Sequence, residues 1–159
     1  MDQFTYYLPC LWAFLACIGF SVLFNIHGVG MFICAGGGAL GWLCYLLTAP
    51  LVHSDIIQYF FAALVISAWS ELMARLRKCP VTSYLLVALF PLVPGGGIYY
   101  TMEYAMSGET SLFLSTLLHT LGLAGALATG VLLVSSLMRL IIVSQEKRRA
   151  RQEADHGKL

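Results

Sequence analysis

Few residues in this 159-residue chain can do chemistry, and their spacing narrows what that chemistry is. The densest group is Pro91-Leu92-Val93-Pro94-Gly95-Gly96-Gly97-Ile98-Tyr99, set inside an otherwise apolar run. Two prolines remove backbone donors and clash with the preceding turn, and three glycines in a row carry almost no helical preference. Such a stretch predicts a break in a helix. If a new half-helix starts near Gly96, its free N–H groups and positive dipole end face a preferred anion, such as a carboxylate. A kink that only shapes packing, or a hinge, is the other reading the residues allow. Three isolated polar groups add candidates for gating or proton movement. Glu71 stands four residues before Arg75, a spacing that also makes an ordinary intrahelical ion pair. His119 carries an imidazole, the side chain suited to a proton relay, though a packed histidine bonded to a neighbouring helix fits as well. Asn25 can cap a helix or bond a half-helix end.

The elements that must position these groups follow from composition. Hydrophobic residues make up 59% and charged residues 11%, against about 25% charged in soluble domains. A chain this short cannot bury that much apolar surface in its own core, whereas lipid can absorb it. A hydrocarbon core of about 30 Å needs about 20 apolar residues per helix, and the chain supplies such runs at about 6–24, 29–48, 56–73, 81–102 and 111–143. The expected fold is therefore an all-α polytopic membrane bundle of about five transmembrane helices, the fourth broken at the Pro/Gly stretch. Four or six crossings would require a re-entrant fourth run or a split of the last run at Gly122 to Gly130. Residues 1–145 form the membrane domain in this reading, and 146–159 a charged cytoplasmic tail with helical character. The N-terminal segment has neither basic residues nor a small-residue cleavage site, so it is kept as a span rather than a signal peptide.

Charge sets the expected orientation. Arg75, Arg77 and Lys78 lie between runs three and four, and Lys147, Arg148, Arg149 and Arg151 follow run five. The intervening connection holds Glu103 and Glu109 and no Lys or Arg. Short basic segments stay in the cytoplasm, which places the N-terminus outside and the C-terminus inside. A net charge of +1 gives no electrostatic case for nucleic acid. The five cysteines are scattered without metal-ligand or disulfide spacing, so neither metal nor cofactor is expected. Within the second run, Gly37 and Gly41 make the small-xxx-small spacing that lets helix backbones approach closely. Tyr6, Tyr7, Trp12, Trp42, Tyr45, Tyr99 and Tyr100 are candidates for aromatic belts.

Pro91-Leu92-Val93-Pro94-Gly95 with Tyr99-Tyr100-Thr101-Met102 resembles the signature of the threonine/serine exporter family, in particular its separate small subunit. Gly19-Phe20-Ser21-Val22-Leu23-Phe24-Asn25, the glycine-rich run ending in Gly41-Trp42, and Ser70-Glu71-Leu72-Met73-Ala74-Arg75 extend the likeness over nearly the whole chain. His27 departs from it, standing where related chains often carry proline. The resemblance implies a two-component exporter of the bacterial cytoplasmic membrane, driven by the proton gradient, in which a larger subunit of the family supplies further spans. It also implies a small carboxylate-bearing solute, threonine, serine or a dicarboxylate such as succinate, and a higher oligomer of the pair. An assembly subunit whose partner alone carries the solute is the alternative. A membrane enzyme would need converging acids, histidines or metal ligands, and Glu71, Glu103 and His119 are isolated.

Overall fold

The computed structural model describes residues 3–156, with side chains over residues 6–144. Six α-helices account for nearly all of it: α1 (Gln3–Leu23), α2 (Val29–Thr48), α3 (Asp55–Arg77), α4 (Val81–Leu89), α5 (Gly95–Ser107) and α6 (Thr110–His156). A single 3-10 turn, Phe90–Leu92, follows α4. No strand occurs among the described residues. The charged side chains of the tail, Lys147 to Arg151 included, lie outside the residues whose side chains are described.

Helix ends follow local chemistry. Helix α1 closes in a Schellman motif: Ile26 N–H donates to Ser21 O at 2.8 Å and Asn25 N–H to Val22 O at 3.1 Å, with Asn25 in the left-handed region at φ 56°. Helix α3 closes in the same way, Cys79 N–H reaching Ala74 O at 3.0 Å and Lys78 adopting φ 54°. Both motifs satisfy carbonyls that a helix end otherwise leaves unpaired. Pro80 then prevents α3 from continuing.

Helix α2 is central, packing against α1, α3 and α4, while α6 lies against α3 and α5. Glycines make these approaches possible because lipid supplies no hydrophobic drive between helices. A Cβ on Gly37 would lie 2.9 Å from the Trp69 ring and 3.0 Å from Ala88 Cβ. The bare backbone there also lets Trp69 Nε1–H reach the Ile33 carbonyl at 3.0 Å. Gly41 leaves room for Ile66 and Leu92. The neighbours of Gly37 and Gly41 are thus α3, α4 and the 3-10 turn after it, all of the same chain. On α6, a Cβ on Gly122 would meet Ile56, and one on Gly130 would meet Ala63 Cβ at 2.7 Å. Large apolar side chains point outward, Leu132 at 65% and Leu140 at 67% exposure being examples, as expected of a surface solvated by lipid.

Four helices are long and apolar enough to cross a membrane, and the segment Val81–Leu92 plus Gly95–Ser107 forms a further pair bent by 55°. Contacts decide that this pair traverses rather than re-enters. Helix α6 begins beside the start of α3, Gly122 on Ile56 and His119 near Asp55, and runs parallel to it, Gly130 on Ala63. Because α4 begins at the opposite end of α3, α4 and α5 together must cross once. Counting the bent pair as one crossing gives five among the described residues, and the protein is a multi-pass membrane bundle. The turn after α3 and the end of α6 lie on one side, and the start of α1 on the other, where Tyr6 Oη–H donates to Leu46 O at 2.9 Å. The apolar part of α6, Thr110–Ser144, is roughly 52 Å long at 1.5 Å per residue and exceeds a 30 Å core, so it tilts or projects.

Candidate functional site

The break lies halfway along the fourth crossing, at the level where Leu92 meets Gly41 and Pro91 meets Gly38. Pro91 has no N–H, so the Val87 carbonyl four residues earlier loses its helical donor. Two groups replace it: Phe90 N–H turns back to Val87 O in 3-10 fashion, and Cys17 Sγ–H donates to it from α1 at 3.4 Å. Gly38 is what admits that thiol, since a Cβ there would overlap the Cys17 sulfur. Pro94 likewise deprives Phe90 O, which accepts from Val93 N–H at 3.2 Å. Phe90 is fixed in turn by stacking on Phe20 of α1, centroids 4.2 Å apart and planes within 6°.

Only Val93 and Pro94 lie outside regular helix. The three glycines, whose low helical preference suggested a longer unwound segment, form the first turn of α5 instead. That turn needs little intrinsic propensity because its N–H groups have no intrahelical partner in any case. Gly95 N–H closes on Val93 O at 2.7 Å, leaving Gly96 and Gly97 as the donors at the half-helix start. Gly95 and Gly96 have open space where a side chain would stand, whereas Gly97 packs on Thr120 of α6. Tyr99, one turn further, is 64% exposed and edge-on to Tyr100 at 5.4 Å. The buried hydroxyls nearby are committed to their own helices, Thr101 to Gly97 O and Thr120 to Thr116 O, both at 2.7 Å. The break therefore offers backbone donors and an aromatic edge, on a face of α5 that the described residues leave uncovered.

The other side of Pro91 faces a groove of about 280 Å³ between α1 and α2, lined by Pro9, Trp12 and Trp42. Trp42, expected in an aromatic belt, is one of its lining residues, and its Nε1–H is buried with no partner among the described residues. The hydroxyls of Ser67 and Ser70 on α3 are buried and unpartnered in the same sense. Nothing in their spacing marked them, because serine in a span usually bonds its own helix.

The isolated polar candidates separate. Asn25 is exposed and occupies the C-terminal cap of α1, with its carbonyl accepting from His27 Nδ1 at 3.0 Å. Glu71 is buried on α3 and paired with Arg75 at 3.1 Å. His119 sits in the N-terminal part of α6, its Nε2 3.7 Å from Asp55 Oδ2 at the first turn of α3. The structure brings none of the three to the break. Among the described residues, no three His, Cys, Asp or Glu side chains gather as metal ligands.

A five-crossing bundle with one crossing broken at mid-depth is the architecture that transporters use to present helix ends to solutes. The family model for "Threonine/Serine exporter, ThrE" matches residues 9–137, and the chain belongs to that family. No curated protein and no solved structure matches it.

Proposed function

We propose that this chain is the small subunit of a secondary-active exporter of the bacterial cytoplasmic membrane, moving threonine, serine or a dicarboxylate such as succinate outward with a larger subunit of the same family. The observation that carries this reading is the uncovered break: Gly95 and Gly96 lie open at mid-depth. Non-helical backbone and free N–H groups at that depth are tolerated only against protein or a water-filled cavity. A wall supplied by a second chain meets that need, and a solute route between the two chains then passes Gly96, Gly97 and Tyr99. The half-helix amides favour a carboxylate there, and Pro91 and Pro94 hold the turn that presents them. The basic segments on one side support a cytoplasmic C-terminus and 146–159 tail, with the N-terminus outside. His119 beside Asp55 then lies toward the outer face, where an imidazole can exchange protons with the external medium. The pair of subunits forms a higher oligomer in this reading.

The test is efflux of radiolabelled threonine, serine and succinate from cells expressing the chain with and without the large subunit. Efflux should require both chains and should fall when Pro94→Ala and Gly95→Leu are introduced into a complex that still assembles. Undiminished efflux from that assembled variant would remove the break from the solute route. Failure to co-purify with any large subunit of the family would remove the two-component reading.

A further inference from the structure

A second polar site lies away from the break, where α3 and α6 part. Gly122 and Gly130 bring α6 against α3, and residues 131–156 contain no further glycine. Beyond that point the helices flank an open cavity of about 600 Å³, lined by Glu71 and Arg75 of α3, Cys79 of the following turn, and Ser135, Ser136 and Arg139 of α6. The volume falls in the range of about 300–1,000 Å³ typical of small-molecule sites. Its level is five residues along α3 from Ile66, which packs beside the break, or roughly 8 Å toward the basic end at 1.5 Å per residue.

The charges in this cavity do not cancel. Glu71 is 9% exposed, and its Oε2 holds Arg75 Nη2 at 3.1 Å. A carboxylate accepts about four hydrogen bonds, and among the described residues Glu71 has this one. Arg139 faces the same space and has no acidic partner among the described residues. One cation without a counter-charge, one carboxylate with spare acceptor capacity, and two hydroxyls converge from opposite walls. We infer that this cavity is a loading site for a free β-hydroxy α-amino acid on the way to the break. Arg139 grips the α-carboxylate in its planar fork, Glu71 accepts from the α-ammonium, and Ser135 or Ser136 meets the hydroxyl. A dicarboxylate satisfies Arg139 equally well but sets its second carboxylate against Glu71, so the cavity selects threonine and serine over succinate. This assignment rests on the exporter reading above and narrows its solute class.

The test uses the full chain in nanodiscs of phosphatidylcholine, with calorimetric titration of L-threonine, threoninamide (no carboxylate), 3-hydroxybutyrate (no ammonium) and succinate. Loss of one charge-assisted contact corresponds to about tenfold in affinity, so each of the last three should bind about tenfold or more below threonine. Arg139→Gln should weaken threonine about tenfold and leave threoninamide unchanged, with Arg139→Lys in between. Glu71→Gln should weaken threonine and leave 3-hydroxybutyrate unchanged. A purely structural role would weaken all ligands together, and that result, or threonine binding indifferent to both variants, overturns the site. Arg139 and Ser136 are exposed positions of α6, so Arg139→Gln and Ser136→Ala decide the matter even where Glu71→Gln fails to fold. No threonine binding in the wild type, with phosphatidylglycerol retained in native mass spectra and lost in Arg139→Gln, would make this a lipid-headgroup site and overturn the proposal. Wild-type efflux that persists unchanged in Arg139→Gln refutes the loading site alone. The ligand pattern above in a chain that exports nothing even when expressed with the large subunit refutes the exporter reading alone.

Discussion

Replacing Gly130 by alanine should push α6 off α3, and the size of the effect can be worked from the contact. The added methyl would lie 2.7 Å from Ala63 Cβ and 3.1 Å from the Phe60 carbonyl oxygen. Apolar carbons rest at about 3.5–4.0 Å, so the overlap is about 1 Å. Neither neighbour can rotate away, since one is a methyl fixed to backbone and the other is backbone. The helices must separate, and overpacking of this kind costs about 1–3 kcal/mol. Alanine's better helix propensity returns about 1 kcal/mol, which could hide part of the loss. Gly125→Ala on the same helix supplies the correction, because nothing stands within 4 Å of its Cβ position. The difference between the two variants isolates the steric term and should be about 1–3 kcal/mol. Thermal unfolding in detergent, with SDS titration as a second probe, measures it. In an Ala63→Gly background the difference should shrink without vanishing, because the Phe60 carbonyl remains. Equal stability of Gly130→Ala and Gly125→Ala would refute the idea that this glycine sets the α3–α6 spacing, and with it the account of why the cavity opens beyond it.

Other outcomes follow from single contacts. Cys17→Ala removes the thiol donor to Val87 O and should lower stability by about 1 kcal/mol, whereas Cys17→Ser keeps a donor and should recover part of it on the same thermal assay. Asn25→Gly should be neutral at its positive φ and leave efflux unchanged, while Asn25→Val should cost about 1–2 kcal/mol; lost efflux in a stable Asn25→Gly variant would restore a gating role for the side chain. Cys79 is exposed in the turn after α3 and Cys17 is fully buried. An impermeant maleimide should therefore label Cys79 in inverted vesicles and not in intact cells, and the reverse pattern would invert the proposed orientation.

The amino-acid sequence by itself determined the class of fold, because backbone in lipid has few solutions and apolar run length counts helices directly. The second helix falls on residues 29–48, as its apolar run indicates. The fourth crossing breaks beside Pro91 and Pro94, since a missing N–H is a property of the residue and needs no context. Four things were decided only by tertiary structure. The proline turn that precedes Gly95 is held from α1 by Cys17 and Phe20, residues about 70 positions away along the chain. Whether the bent pair crosses or re-enters depends on α6 starting beside α3. The pairing of Glu71 with Arg75 was legible from i,i+4 spacing, but the convergence of Glu71 with Arg139 was not. Which face of α6 meets α3, and where the two helices part, depends on how Gly122 and Gly130 nest against Ile56 and Ala63. Hydropathy cannot express that choice, because every face of α6 is apolar enough for lipid and only side-chain shape selects the one that packs.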